Sequence, residues 1–162
     1  MQQIHFNHQA HMDMLEQMMG IVYNPRADVC ISRTHEDGRL LGGVIFTDYL
    51  IASIQIHVAS FTPRWINRQM LWYTFAYPFL QLQVQTLFGQ VNSENHAALE
   101  FDKHLGFREV TRIDGIYPSG QLVLMAMTRD ECRFLKPPRN LFTGAPDGQE
   151  YSPATSGHDA AD

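Results

Sequence analysis

Residues 52–105 read as strand, helix, strand, helix, and this order constrains the chain more than any other feature. Ala52 to Phe61 alternates: Ile54, Ile56 and Val58 fall on one side, Ser53, Gln55 and His57 on the other. That is the period-two pattern of a half-buried strand. Pro63 interrupts it. Ile66 to Gln83 then reads as a long helix crowded with Trp72, Phe75, Tyr77 and Phe79, kinked or ended at Pro78. Thr86 to Val91 is a second strand. Asn92-Ser93-Glu94-Asn95 has the chemistry of a helix cap, and His96 to Leu105 is a second helix closed by Gly106. Strands joined through a helix pair in parallel, whereas a tight turn makes them antiparallel.

Tight turns flank this unit on both sides. Asp28 to Arg33 and Arg39 to Tyr49 are strands joined by His35-Glu36-Asp37-Gly38, where Asp-Gly is a strong hairpin signal. Phe107 to Ile113 and Gln121 to Thr128 are joined across Asp114 to Gly120. Ahead of them, Met12, Leu15, Met18 and Met19 recur at helical spacing, so His8 to Met19 is a short amphipathic helix ending at Gly20. The fold class is mixed α/β (α+β), with a sheet part parallel and part antiparallel.

Composition sets the boundaries. The 162 residues suit one domain. Four of the eight prolines lie in 136–162, and the final sixteen residues carry Asp147, Glu150, Asp159 and Asp162 with no Lys or Arg. Such a segment cannot bury enough apolar area to offset its ordering entropy. The expected division is a domain of 1–135 and a tail of 136–162, disordered or laid on the surface, with Leu141 and Phe142 able to anchor its start. Twelve Lys and Arg against seventeen Asp and Glu give a net charge of -5, with no basic cluster to neutralise a run of phosphates. No apolar stretch approaches a membrane span, and Met1-Gln2-Gln3 does not open a signal peptide. The expectation is a soluble, cytoplasmic chain with no nucleic-acid or membrane partner. Cys30 and Cys132 form neither a disulfide framework nor a zinc signature and read as reduced thiols in or near the core. His5, His8 and His11, three apart, lack a fourth ligand at fitting spacing, so no metal is expected.

The stretch from Val91 to Phe107 resembles the second conserved motif of the GNAT N-acetyltransferases: a strand end, Asn-x-x-Ala, seven residues, then Gly-Phe. Asn95, Ala98, Gly106 and Phe107 keep that spacing, and the order of elements from about Val29 to Leu135 agrees with it. Ile56-His57-Val58-Ala59-Ser60, Pro63-Arg64-Trp65, Tyr77-Pro78-Phe79 and Arg129-Asp130-Glu131-Cys132-Arg133 further resemble phage-encoded members of the family, and more distantly the acetyltransferases of ribosomal protein N-termini.

This resemblance implies a centrally splayed sheet flanked by helices, with acetyl-CoA as co-substrate in the wedge between the strands 52–61 and 86–91. His57, Val58, Ala59 and Ser60 then supply backbone groups to the pantetheine arm, and the pyrophosphate rests on amides opening the long helix. Two departures stand out. The family's glycine-bearing phosphate loop is here Arg64-Trp65-Ile66-Asn67-Arg68-Gln69, with Asn67 in place of the first glycine and Gln69 in place of a small residue. Asn67 can keep the turn if its backbone is left-handed. Arg64 and Arg68 either contact the phosphates or are solvated helix-end charges. Asp102 stands where the family often has a tyrosine that protonates the departing thiolate, and an ionised Asp is a poor donor. The acid is then another group, or water, or the enzyme is weak.

The implied reaction is direct attack of an amine on a thioester, with His57 as base candidate and a backbone N–H near Val58 for the oxyanion. His57 can equally be a buried structural histidine. Asp48 and Glu109 are weaker candidates. His5, His8, His11, Asp114 and Tyr117 are candidates for the acceptor side. The run Trp72, Tyr73, Phe75, Tyr77, Phe79 reads as core and dimer surface. The expected function is an acetyl-CoA-dependent N-acetyltransferase acting on an unidentified primary amine, of a small molecule or a protein, in a possible homodimer. The alternatives are a catalytically weak or inactive GNAT-fold CoA-binding or interaction module, and a phage effector acting on a host protein in the host cytoplasm.

Overall fold

The computed structural model describes residues 3–139 and 141. The expected tail, Phe142 included, otherwise lies outside the described residues. The order is β1 (Gln3–Phe6), α1 (Gln9–Met19), β2 (Val29–Thr34), β3 (Leu40–Thr47), β4 (Ser53–Ser60), α2 (Arg68–Ala76), β5 (Thr86–Asn92), α3 (His96–Leu105), β6 (Arg108–Ile113) and β7 (Leu122–Thr128). The fold is mixed α/β, as the sequence suggests. β1 is an addition: four residues at a sheet edge, none fully buried, give too short a pattern to read. α2 begins two residues later than predicted, because Asn67 caps it. Its regular part ends at Ala76, and a π-helical turn follows over Tyr77–Gln81. Pro78 has no N–H to continue the ladder, and the turn widens, with Leu82 N–H donating to Tyr77 O at 3.0 Å.

The seven strands form one sheet in the order β1-β2-β3-β4-β5-β7-β6. Every neighbouring pair is antiparallel except β4 and β5. A large apolar cluster (Val44, Phe46, Phe75, Phe79, Leu99, Met125 among it) joins α2 and α3 to the sheet. A smaller one of Met12, Leu15, Cys30, Leu40, Ile45 and Ala59 seats α1. Two glycines let these layers close. A Cβ on Gly43 would meet Leu15 Cδ1 at 2.7 Å, and one on Gly42 would meet Trp65 Cβ at 2.9 Å.

The single parallel pair positions the site. β4 and β5 pair only through Ser53–Thr86, Ile54–Leu87 and Gln55–Phe88. Beyond that point β4 stays bound to β3 through Ser60, and β5 to β7 through Asn92. Each strand is held by its other neighbour while the two separate, so a wedge opens from Ile56 and Gly89 onward.

Candidate active site

The wedge is a cavity of about 590 Å³. Its walls include Ile56, His57, Val58 and Ser60 of β4, Gly89 of β5, Thr74 of α2 and Asp102 of α3. Past Gln55, β4 has no strand partner on its β5 side, so the alternate backbone donors and acceptors not bonded to β3 face the cavity. Val58 and Ser60 are exposed; Ala59 is buried with its side chain in the α1 cluster and offers backbone alone. The Thr74 hydroxyl is buried and has no partner among the described residues.

The loop entering α2 stands at the cavity's edge. Asn67 is extended (φ -132°, ψ 179°), not left-handed. This corrects the expectation that Asn67 substitutes for a glycine's conformation: it is a helix cap, its Oδ1 accepting the Met70 N–H at 2.8 Å. The amides of Arg68 and Gln69, in the first helical turn, have no intrahelical acceptor. Arg64 and Arg68 are exposed, while Ile66 and Gln69 are half-buried. Trp65, expected at the cofactor site, borders the wedge while packing in the main core, 4 % exposed and 6.2 Å from the Phe101 ring. Its contribution to the loop is its backbone.

His57 sits on β4, half-buried, opposite Ile45. Its Nε2 is 3.0 Å from Thr47 Oγ1, and the Thr47 hydroxyl donates to Asp48 Oδ2 at 2.8 Å. A hydroxyl has one proton. Given to Asp48, it leaves Oγ1 to accept from Nε2–H, so Nδ1 carries the free lone pair. Burial lowers the imidazole pKa, against the opposing pull of Asp48 and Asp28. The ring is therefore neutral near pH 7, with one nitrogen available to accept a proton.

α3 carries two more groups. Asn95 caps it, Oδ1 accepting the Ala98 N–H at 3.1 Å, so its side chain is committed to the helix although it borders the wedge. Asp102 lines the same cavity, half-buried, with no side-chain partner among the described residues. Burial pushes its carboxyl up to about 6. The sequence expectation of a fully ionised Asp102 is thus too simple, since a carboxyl at that value is partly protonated at neutral pH.

A second cavity, about 650 Å³, adjoins the first through the Thr47–His57 contact. It is lined by Tyr23, Asn24, Asp28, Thr47, Asp48 and Tyr49 together with Val22 and Ala27. The sequence reading missed Thr47, Tyr23, Tyr49 and Asp28, because the elements that bring them together are far apart in the chain. The remaining candidates divide. Tyr117 lines the wedge. Asp114 accepts from Gln121 Nε2 at 2.8 Å. Glu109 is held by Arg112 on the exposed strand β6, away from His57. His5, His8 and His11 cluster ring against ring, with His8 and His11 stacked at 4.0 Å, but line neither cavity. Among the described residues no group of three or more His, Cys, Asp or Glu is arranged to hold a metal ion. In the aromatic run Phe75 and Phe79 are fully buried core residues, and Trp72, Tyr73 and Tyr77 are half-buried. No described helix is long and apolar enough to cross a membrane.

Neither protein-family models nor curated proteins match the sequence. Solved structures do. A mutant form of the spermidine/spermine N-acetyltransferase SpeG from Vibrio cholerae superposes with a TM-score of 0.62 at 13 % identity, over 80 % of this chain and 96 % of that one. The ribosomal-protein-S18-alanine N-acetyltransferase from Escherichia coli gives 0.62 at 18 %, over 79 % and 94 %. A GNAT-family acetyltransferase from Bacillus anthracis gives 0.53 at 14 %, over 77 % and 87 %. At these identities the likeness shows the fold, and the fold is that of the GNAT acetyltransferases.

Proposed function

We propose that this protein is an acetyl-CoA-dependent N-acetyltransferase. One observation carries the reading: β4 and β5 pair over three residues and then part, leaving unpaired β4 backbone beside the opening turn of α2. The residues present fit the co-substrate. Unpaired backbone of Ile56 to Ser60 suits the amides of a pantetheine arm, and the orphan Thr74 hydroxyl offers one more polar contact. The amides of Arg68 and Gln69 with the exposed Arg64 and Arg68 suit a pyrophosphate. Bound there, acetyl-CoA supplies a thioester, an acetyl group already activated for transfer.

The chain's own groups have separable tasks. The acceptor amine approaches through the second cavity, where Asp28 and Asp48 favour its ammonium form and Tyr23 and Tyr49 flank it. The bound ammonium sheds one proton to solvent to become the attacking amine, and His57 Nδ1 receives the second as the C–N bond forms. Thr47, anchored by Asp48, holds the imidazole with Nδ1 free. A β4 backbone N–H near Val58 stabilises the carbonyl oxygen as charge develops. Asp102, with its raised pKa, returns a proton to the departing sulfur. The acceptor class is a primary amine on a cationic molecule, in keeping with the polyamine named for the Vibrio cholerae structure.

The test is release of free thiol from acetyl-CoA with a panel of polyamines and peptides. Acceptor-dependent release supports the enzyme. One observation favours the alternative, a binding module: Asn67 occupies the Met70 amide that a phosphate could otherwise use. Tight acetyl-CoA binding with no thiol release on any acceptor establishes that alternative.

A further inference from the structure

The loop between β4 and α2 is held from beneath by a side chain with no part in the chemistry above. Arg33 lies on β2 directly opposite Gly42 of β3, beside a shift in register. Opposed residues on an antiparallel pair project to the same face. Gly42 projects nothing, so the Arg33 side chain has room to cross it and reach the loop. The residue is 4 % exposed. Its Nη1 donates to the Arg64 carbonyl at 2.9 Å and to the Trp65 carbonyl at 2.7 Å. Its Nε is buried without a partner among the described residues, and no described carboxylate forms an ion pair with it. Burial lowers its pKa, yet a guanidinium stays charged at any physiological pH. A buried cation lacking a counter-ion is an expensive arrangement.

Peptide geometry converts this clamp into a feature of the loop surface. In a planar trans peptide the N–H points opposite to the carbonyl of the same unit. Drawing the Trp65 carbonyl toward the guanidinium therefore aims the Ile66 N–H away from it, and Ile66 borders the wedge. The family's usual glycines are missing here, so another device must set the loop's conformation.

We infer that Arg33 is a positioning residue for an anion of the pyrophosphate class at the mouth of the wedge. It fixes the 64–66 backbone, where the Arg64 and Trp65 N–H groups donate to Thr62, with the Ile66 N–H outward, and sets an uncompensated positive charge behind it. The identity of that anion as part of acetyl-CoA rests on the proposed function; the clamp does not.

The experiment measures binding of three probes to the full chain and to Arg33→Met and Arg33→Lys variants. The probes are acetyl-CoA, S-acetylpantetheine, which lacks the pyrophosphate, and inorganic pyrophosphate. For Arg33→Met we expect acetyl-CoA and pyrophosphate to weaken at least about tenfold, the scale of one charge-assisted contact. S-Acetylpantetheine should hold within about twofold. Arg33→Lys keeps the charge but not the fork to two carbonyls, and is expected to show the same selectivity at smaller size. It decides the question if the methionine variant does not fold. Equal losses for both thioesters mean a merely structural role and overturn the inference, as does no loss at all. Wild-type binding of pyrophosphate without acetyl-CoA removes the acetyltransferase reading and leaves Arg33 its anion. Binding of acetyl-CoA that ignores both substitutions does the reverse. Binding of none of the three overturns both.

Discussion

His57 takes its chemistry from Thr47. With Nε2–H committed to that hydroxyl, Nδ1 is the basic atom, and burial keeps it unprotonated at neutral pH. His57→Ala should therefore lower kcat by about 10²–10⁴-fold while acetyl-CoA affinity stays within a factor of about two, because the proposed site binds it through β4 backbone. A parallel loss of affinity in calorimetry would contradict that division. The pH profile follows from two groups with opposite requirements. His57 must be neutral, and its lowered pKa puts the acid limb below the ordinary 6.5. Asp102 must be protonated, and activity declines as it ionises above about 6. The expected profile is a bell whose acid limb lies below 6.5 and whose alkaline limb lies at about 6. Asp102→Asn should lower the rate and remove the alkaline limb; an unchanged alkaline limb assigns the acid to another group.

At the scale of elements, the wedge depends on β4 keeping β3 while it loses β5. Gly42 and Gly43 are where β3 allows this, because Trp65 and Leu15 pack directly on their Cα atoms. Gly42→Ala would force a methyl within 2.8 Å of the Ala59 carbonyl and 2.9 Å of Trp65. The expected cost is about 1–3 kcal/mol, a fall in Tm of roughly 2–12 °C for a chain of this size. Thermal melting checks it, and an unchanged Tm would mean that the loop yields easily. Much of this architecture was legible. The alternation from Ala52 to Phe61, the Asp37-Gly38 turn and the Asn95–Gly106 caps each act locally, and the structure has an element at each. What escaped depends on pairing. β1 exists because β2 offers it an edge. The parting of β4 from β5 did not escape, but it comes from the family resemblance alone, since neither strand's own residues encode the register. Arg33 reads as a polar residue ending a strand until the hairpin register sets it opposite Gly42. Thr47 reads as a strand-end threonine until β3 lies beside His57.

The whole molecule carries a net charge of -5, yet its sharpest response to acid should come from histidines outside both cavities. His11 is buried, bonded through Nδ1 to Ser32 Oγ at 2.8 Å, and stacked on His8. Burial first, then His8 and His5, pushes its pKa down to about 4. His5, bonded to Thr34, is lowered for like reasons. Folded-state values below the ordinary 6.5 mean that the unfolded chain binds protons first as pH falls. The stability linked to these groups is complete above about pH 6.5 and is lost progressively toward 4. His11 contributes at most about 3 kcal/mol. Urea unfolding near pH 7 and near pH 5 should show the loss, and His11→Gln should flatten it. Equal pH sensitivity in that variant would place the response in the carboxylates instead.

The central claim is that the gap between β4 and β5 holds acetyl-CoA, and hydrogen exchange with and without the ligand tests it most directly. At millimolar acetyl-CoA the account predicts slowed exchange at the amides of Ile56 to Ser60 and of Ile66 to Gln69, with β6 and the β2–β3 turn unaffected. Unchanged exchange along β4 and the loop, or protection confined to another surface, would contradict it.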